Sequence, residues 1–144
     1  MKYIIVLLFA VTIKGQNWFQ QYGNSKADYF NSITELASGG YVLVGNSNTL
    51  GNGKSDLWVI CLDDTLSFVW QRFLGDSEDD FGKKIINYNN ELYIFGETTN
   101  LGTKDIWILK LKLNGDLIWD QKFGDSLNDY GHSIRHINGR GFLI

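Results

Sequence analysis

Apolar and polar positions along the chain follow strand spacing. The run from Tyr29 to Leu36 is followed by Ser38-Gly39-Gly40 and then by YVLVG from Tyr41 to Gly45. A glycine turn between two β-rich runs predicts a hairpin. DLWVICL at 56–62 and DIWILKL at 105–111 are nearly continuous apolar runs, each preceded by a polar segment read as a loop, NSNTLGNGKS or ETTNLGTK. Runs of this kind belong to strands covered on both faces. Asn114-Gly115, a type I′ turn signal, joins ILKLKL to DLIWDQKF as a further hairpin. The predicted unit is four antiparallel strands.

Composition agrees. The 144 residues include 16 glycines, no proline and 15% aromatic residues, which favours short strands joined by glycine turns, an all-β class. With 44% hydrophobic and 20% charged residues, neither a disordered acidic chain nor a membrane bundle fits. The net charge is −3 and no basic run is long enough to track a phosphate backbone, so nucleic acid is not expected as a partner. Cys61 is the single cysteine and predicts neither an intrachain disulfide nor a cysteine-rich zinc site.

The first residues carry a different message. Met1 and Lys2 precede an apolar run from Tyr3 to Ile13, then Lys14 and Gly15. Eleven helical residues span about 16 Å, well short of the roughly 30 Å hydrocarbon core, so 1–15 reads as a signal peptide rather than a membrane span. Gln16 would then open the mature chain, and the expected location is secreted, periplasmic or cell surface. The alternative is a buried N-terminal strand.

Laid on itself, the chain repeats. Trp18, Trp70 and Trp119 are each followed five residues later by Gly23, Gly75 and Gly124. Asp28, Asp80 and Asp129 align, each before an aromatic residue, as do Ile33, Ile85 and Ile134, then Tyr41, Tyr93 and Phe142. Two copies continue through Gly45 and Gly96 to Asp56-Leu57-Trp58 and Asp105-Ile106-Trp107. A period near fifty with four strands per unit predicts a β-propeller, whose blades bury both faces against neighbours; a β-sandwich gives no reason for the period. The predicted blades are 29–73 and 81–123, with an incomplete blade at 130–144. The strand at 18–22 is left to complete a last blade at ring closure. Phe142-Leu143-Ile144 stops where both earlier copies run on to glycine, so the rest of the propeller is expected outside this sequence.

These units combine a glycine-acidic loop leading to Asp-aromatic, a glycine hairpin before YVLVG, and Asp-x-Trp strands ending at Asn-Gly before Trp. In this they resemble repeats of secreted bacterial β-propeller proteins of the Bacteroidetes type, with a kelch-like period. The likeness covers 18–144 and implies a propeller in a large exported protein, often with further modules and usually with no assigned activity. Asn89-Asn90-Glu91 stands where a glycine pair is typical, which predicts a weaker turn with the register kept. Gly115-x-x-x-Trp119 is similar to the tryptophan-docking motif of quinoprotein propellers, with Leu66 at that glycine position in the first unit.

Candidate chemistry centres on the acidic loops: Asp76, Glu78, Asp79 and Asp80, then Asp125, Asn128 and Asp129. Ca²⁺ takes six to eight oxygens at about 2.3–2.6 Å, which such loops could partly supply. Recurrence of Asp28, Asp80 and Asp129 among varying neighbours favours carboxylates that bond the turn before the inner strand. These three are the candidate binding residues; no catalytic or metal-ligating residue and no resident cofactor is assigned. His132 and His136 fall on a predicted strand, where four residues span roughly 13 Å, too far to share one Zn²⁺. Cys61 aligns with Lys110, which predicts some solvent access and no nucleophilic role. Trp58, Trp70, Trp107 and Trp119 are expected to fill the space between blades.

The deviations Lys83-Lys84, Asn90-Glu91 and the histidine pair form no acid/base constellation. The expected function is therefore a noncatalytic exported propeller, a binding or scaffold module for a protein or glycan at the cell surface. The alternative is a glycan-cleaving or quinone-dependent propeller with its active groups on other blades.

Overall fold

The computed structural model describes residues 22–23, 27–49, 51 and 54–144. The expected signal peptide and the strand at 18–22, apart from Tyr22, lie outside the described residues. The described chain is all-β and holds no helix, so none is long and apolar enough to cross a membrane. Strands β1 (Asp28–Glu35), β2 (Tyr41–Ser47), β3 (Asp56–Leu62) and β4 (Phe68–Leu74) form one antiparallel sheet in chain order. Strands β5 (Asp80–Tyr88), β6 (Glu91–Asn100), β7 (Thr103–Lys112) and β8 (Leu117–Phe123) form a second. A hairpin of β9 (Arg135–Ile137) and β10 (Gly141–Leu143) follows.

The sheets correspond in register. Phe30, Gly45, Trp58 and Phe73 stand side by side across the first, and Gly82, Gly96, Trp107 and Lys122 across the second. A side chain at Gly45 would run into the Tyr29 backbone, and one at Gly96 into that of Phe81, so both positions must be bare. Bulges recur as well, at Asn31 and Lys83 in the first strands and at Val69 and Ile118 in the fourth.

Three features depart from the sequence expectation. The β5–β6 turn is a tight two-residue one with Asn89 and Asn90 both left-handed (φ 52° and 59°), a conformation asparagine tolerates. In the first sheet three residues lie between Leu36 and Gly40, which bond each other. The shorter turn shifts the alignment by one, so Tyr93 takes the place of Val42 rather than Tyr41. ETTNLGTK is mostly ladder: Thr98 and Thr99 pair with Asp105 and Lys104, leaving only Leu101-Gly102 as the turn. The strand expected from Tyr130 begins at Arg135, because β10 offers three partners.

Packing is layered. Val42, Val44, Leu57, Val59 and Cys61 meet Ile85, Leu92, Ile94, Trp107, Leu109 and Leu111 between the two sheets. Full burial of such side chains contributes about 1.5–3 kcal/mol each. The other face of the first sheet carries Leu43, Trp58, Ile60 and Leu62 with Tyr22, Phe30, Tyr41 and Phe73 packed on it. On the other face of the second, Phe95 and Ile108 take Ile134 and Phe142 from the β9–β10 segment. Trp58 and Trp107 therefore point the same way along the stack, each on its sheet's leading face. Cys61 is 4% exposed, contrary to the solvent access inferred from Lys110, because in the first sheet that position is closed off by the second. Trp119 is 42% exposed, in contrast to a space-filling role.

Candidate functional site

Asp28 and Asp80 sit at the end of each four-stranded sheet where its first strand begins, and Asp129 lies in the segment before β9. Asp28, Ser47 and Asp56 are register neighbours across β1, β2 and β3, and Asp80, Thr98 and Asp105 across β5, β6 and β7. Ser47 donates its hydroxyl to Asp28 Oδ1 at 2.5 Å. Asp80 Oδ2 accepts the Asp76 amide at 2.9 Å, and Asp129 Oδ2 accepts the Asp125 amide at 3.1 Å. The amides of Asp80 and Asp129 in turn donate to Ser55 and Lys104 carbonyls at 2.6 and 2.7 Å. Burial pushes the Asp80 carboxyl above its ordinary range, opposed by the Thr98 hydroxyl and the Asp76 amide. Asp80 Oδ1, Thr98 Oγ1 and Asp105 Oδ1 are nevertheless buried without a hydrogen bond of ordinary geometry.

Asp28, Asp80 and Asp129 thus occupy successive units and are not brought into one site. Among the described residues no group of three or more His, Cys, Asp or Glu side chains gathers around a metal-sized space. His132 is exposed and off the strands, while His136 in β9 stacks on Tyr88 with ring centroids 3.7 Å apart. Cys61 is a buried free thiol, and burial and nearby Asp63 push its pKa up, which disfavours the thiolate.

A different cluster breaks the repeat. Glu97, 4% exposed, meets Lys83 Nζ at 3.2 Å and Lys104 Nζ at 3.8 Å through Oε2. Lys83 is the extra residue of the β5 bulge, a device that re-aims a side chain. Lys104 Nζ lies 4.9 Å from the Phe81 ring centroid and 5.9 Å from that of the exposed Tyr130, and Lys83 Nζ 5.5 Å from Phe81. Both lysines remain partly exposed. The corresponding residues of the first sheet are neutral: Asn31, Asn46, Ser55 and Tyr29. There Asn46 Nδ2 donates to Ser55 Oγ at 3.1 Å, and Asn31 Nδ2 reaches the Gly82 carbonyl at 2.7 Å. Sequence reasoning reached Lys83 as a deviation but missed Glu97 and Lys104, because both lay in a segment read as loop.

No family model matches this sequence, and no curated protein is significantly similar to it.

Proposed function

We propose that the chain belongs to an exported β-propeller that works as a noncatalytic binding or scaffold module for a glycan or protein at the cell surface. The propeller reading draws on the same-sense stack, in which Trp58 and Trp107 lead their sheets in one direction. It also draws on the ties between first strands: Ile85 and Asn87 amides donate to Ser32 and Thr34 hydroxyls at 3.3 Å. Sheets joined along their first strands suit a radial arrangement with those strands innermost.

The observation that carries the binding reading is the Lys83–Glu97–Lys104 cluster beside Phe81 and Tyr130. One copy suffices for recognition, and of the two four-stranded units described only the second has it. A carboxylate engaged by two lysines is poorly placed to take up a substrate proton, whereas partly exposed ammonium groups over aromatic faces suit an acidic sugar or acidic peptide.

Titration calorimetry of the whole chain with neutral and uronate-containing oligosaccharides and with an acidic peptide tests this. Saturable binding of an acidic ligand, weakened by Lys104→Ala and leaving the ligand chemically unchanged, is the expected result. Release of a cleaved or oxidised product would overturn the noncatalytic reading. Binding indifferent to Lys104→Ala would overturn the site. Cell fractionation that finds the protein cytoplasmic would overturn the exported placement.

A further inference from the structure

Two exposed leucines stand at the same end of the second sheet as the Lys83–Glu97–Lys104 cluster. Leu101, 97% exposed, is at the tip of the β6–β7 hairpin, three residues before Lys104, and its backbone is left-handed (φ 50°), a conformation that costs a leucine energy. Leu127 is 71% exposed. It precedes Asn128, whose Oδ1 accepts the Lys104 amide at 2.8 Å, and lies three residues before Tyr130. Its own amide donates to Asp125 Oδ1 at 2.8 Å, which fixes the loop that presents it. Among the described residues, neither leucine joins a buried hydrophobic cluster.

The corresponding place in the first sheet is charged. The loops DSEDD (76–80) and DSLND (125–129) dock alike, since the Asp80 amide donates to the Ser55 carbonyl as the Asp129 amide does to that of Lys104. In the first, Glu78 pairs with Lys54 at 2.8 Å. Leu127 and Thr103 take those two places in the second. The exchange removes a carboxylate from beside Lys104 and sets an apolar side chain in solvent instead.

We propose that this end of the sheet takes an extended acidic peptide, with one carboxylate held by Lys83 and Lys104 and an aliphatic side chain two residues away covering Leu127 or Leu101. The inference rests on reading the lysine cluster as a site for an acidic ligand, and it narrows that ligand to a peptide. Residues two apart in an extended chain share a face, so one face presents both groups. An aliphatic side chain gains by leaving water against leucine, whereas sugar hydroxyls laid there would lose water without gaining hydrogen bonds. Charge argues the same way. The two lysines share Glu97, which leaves one net positive charge, and Asp125 and Asp129 stand in the loop that carries Leu127. A single ligand carboxylate matches that balance, while the repeated negative charge of a polyuronate or an anionic bilayer is repelled by those aspartates.

The test titrates the full chain by calorimetry with acetyl-Leu-Ser-Glu-Ser-Leu-amide, its counterpart acetyl-Ala-Ser-Glu-Ser-Ala-amide, a tetragalacturonate, and vesicles of an anionic phospholipid. The leucine peptide should bind about fivefold tighter than the alanine one. Combining Leu127→Ser with Leu101→Asn, asparagine being tolerant of left-handed backbone, should erase that difference. Leu127→Glu, which restores the residue of the first loop, should weaken the leucine peptide about tenfold. Equal affinity for the two peptides, with Lys104→Ala still weakening both, overturns this inference and leaves the acidic-ligand reading standing. Binding of no acidic ligand at all overturns both. A leucine preference that survives the double substitution, a tetragalacturonate held more tightly than either peptide, or attachment to the vesicles that depends on Leu101 would each overturn the peptide assignment.

Discussion

Leu66 and Gly115 occupy the same position in the third-to-fourth-strand turns of their sheets, and both are left-handed, with φ of 64° and 85°. Glycine takes this conformation freely; leucine does so at a cost of about 1–2 kcal/mol. At Leu66 the strained residue keeps a side chain only 9% exposed. At Gly115 the missing side chain makes room for the Trp70 ring. One backbone shape therefore serves two contacts.

Gly115→Ala should destabilise the protein by about 2 kcal/mol, from the left-handed φ together with the crowding against Trp70. In a Trp70→Ala background the crowding is gone, and the cost should fall to about 1 kcal/mol. Urea denaturation of the four proteins measures this. Equal costs in both backgrounds would show that the ring contact contributes nothing.

Trp70→Ala should cost about 3–5 kcal/mol, the range for a large aromatic removed from a packed site, while Trp119→Ala should stay within about 1 kcal/mol. The two differ in surroundings, not in residue type or register. Thermal and urea melts that ranked them equally would contradict the burial difference.

Much of this architecture is legible in the sequence, because its signals are local. DLWVICL and DIWILKL announce strands buried on both faces, and Asn114-Gly115 announces a hairpin there, although the turn is not type I′: Leu113, Asn114 and Gly115 lie between the bonded Lys112 and Asp116, and of these only Gly115 is left-handed. The segment 97–104 misled because its polar residues resemble a loop, although Thr98 and Thr99 are β-branched and pair well. The register at Tyr93 could not be read without knowing that Asn89-Asn90 closes in two residues. Glu97 escaped notice for a physical reason: its burial depends on Lys83 and Lys104, which only the β6–β7 ladder and the β5 bulge bring to it. Alignment of Cys61 with Lys110 misjudged exposure because the two positions meet different neighbours. The second sheet covers Cys61, while Lys110 reaches Glu91 at 2.6 Å on the rim.

Cys61 should resist thiol reagents in the folded protein. Burial and the Asp63 charge both disfavour its thiolate. Reaction with a coloured disulfide reagent at neutral pH should be slow in buffer and complete within minutes in denaturing urea. Fast labelling without denaturant would mean that the sheet-to-sheet core opens readily at this point.

Asp80 should give the protein an inverted pH dependence at one position. Its folded pKa is raised by burial above an unfolded value near 3.8, so between these two values the folded state binds more protons than the unfolded state. Stability then falls as pH rises through that window, by linkage, and stays lower above it. This is opposite in sign to Asp63, whose carboxyl is held low by hydrogen bonds from Thr65 and Ser67 and whose contribution is lost as pH falls through its depressed folded value. Asp80→Asn removes the titration while keeping one acceptor oxygen for the Asp76 amide. The stability of wild type minus that of Asp80→Asn, from urea melts at several pH values, should therefore decline with rising pH from about 4 upward and then level off. A difference that rises with pH would mean that hydrogen bonds to Asp80 outweigh its desolvation.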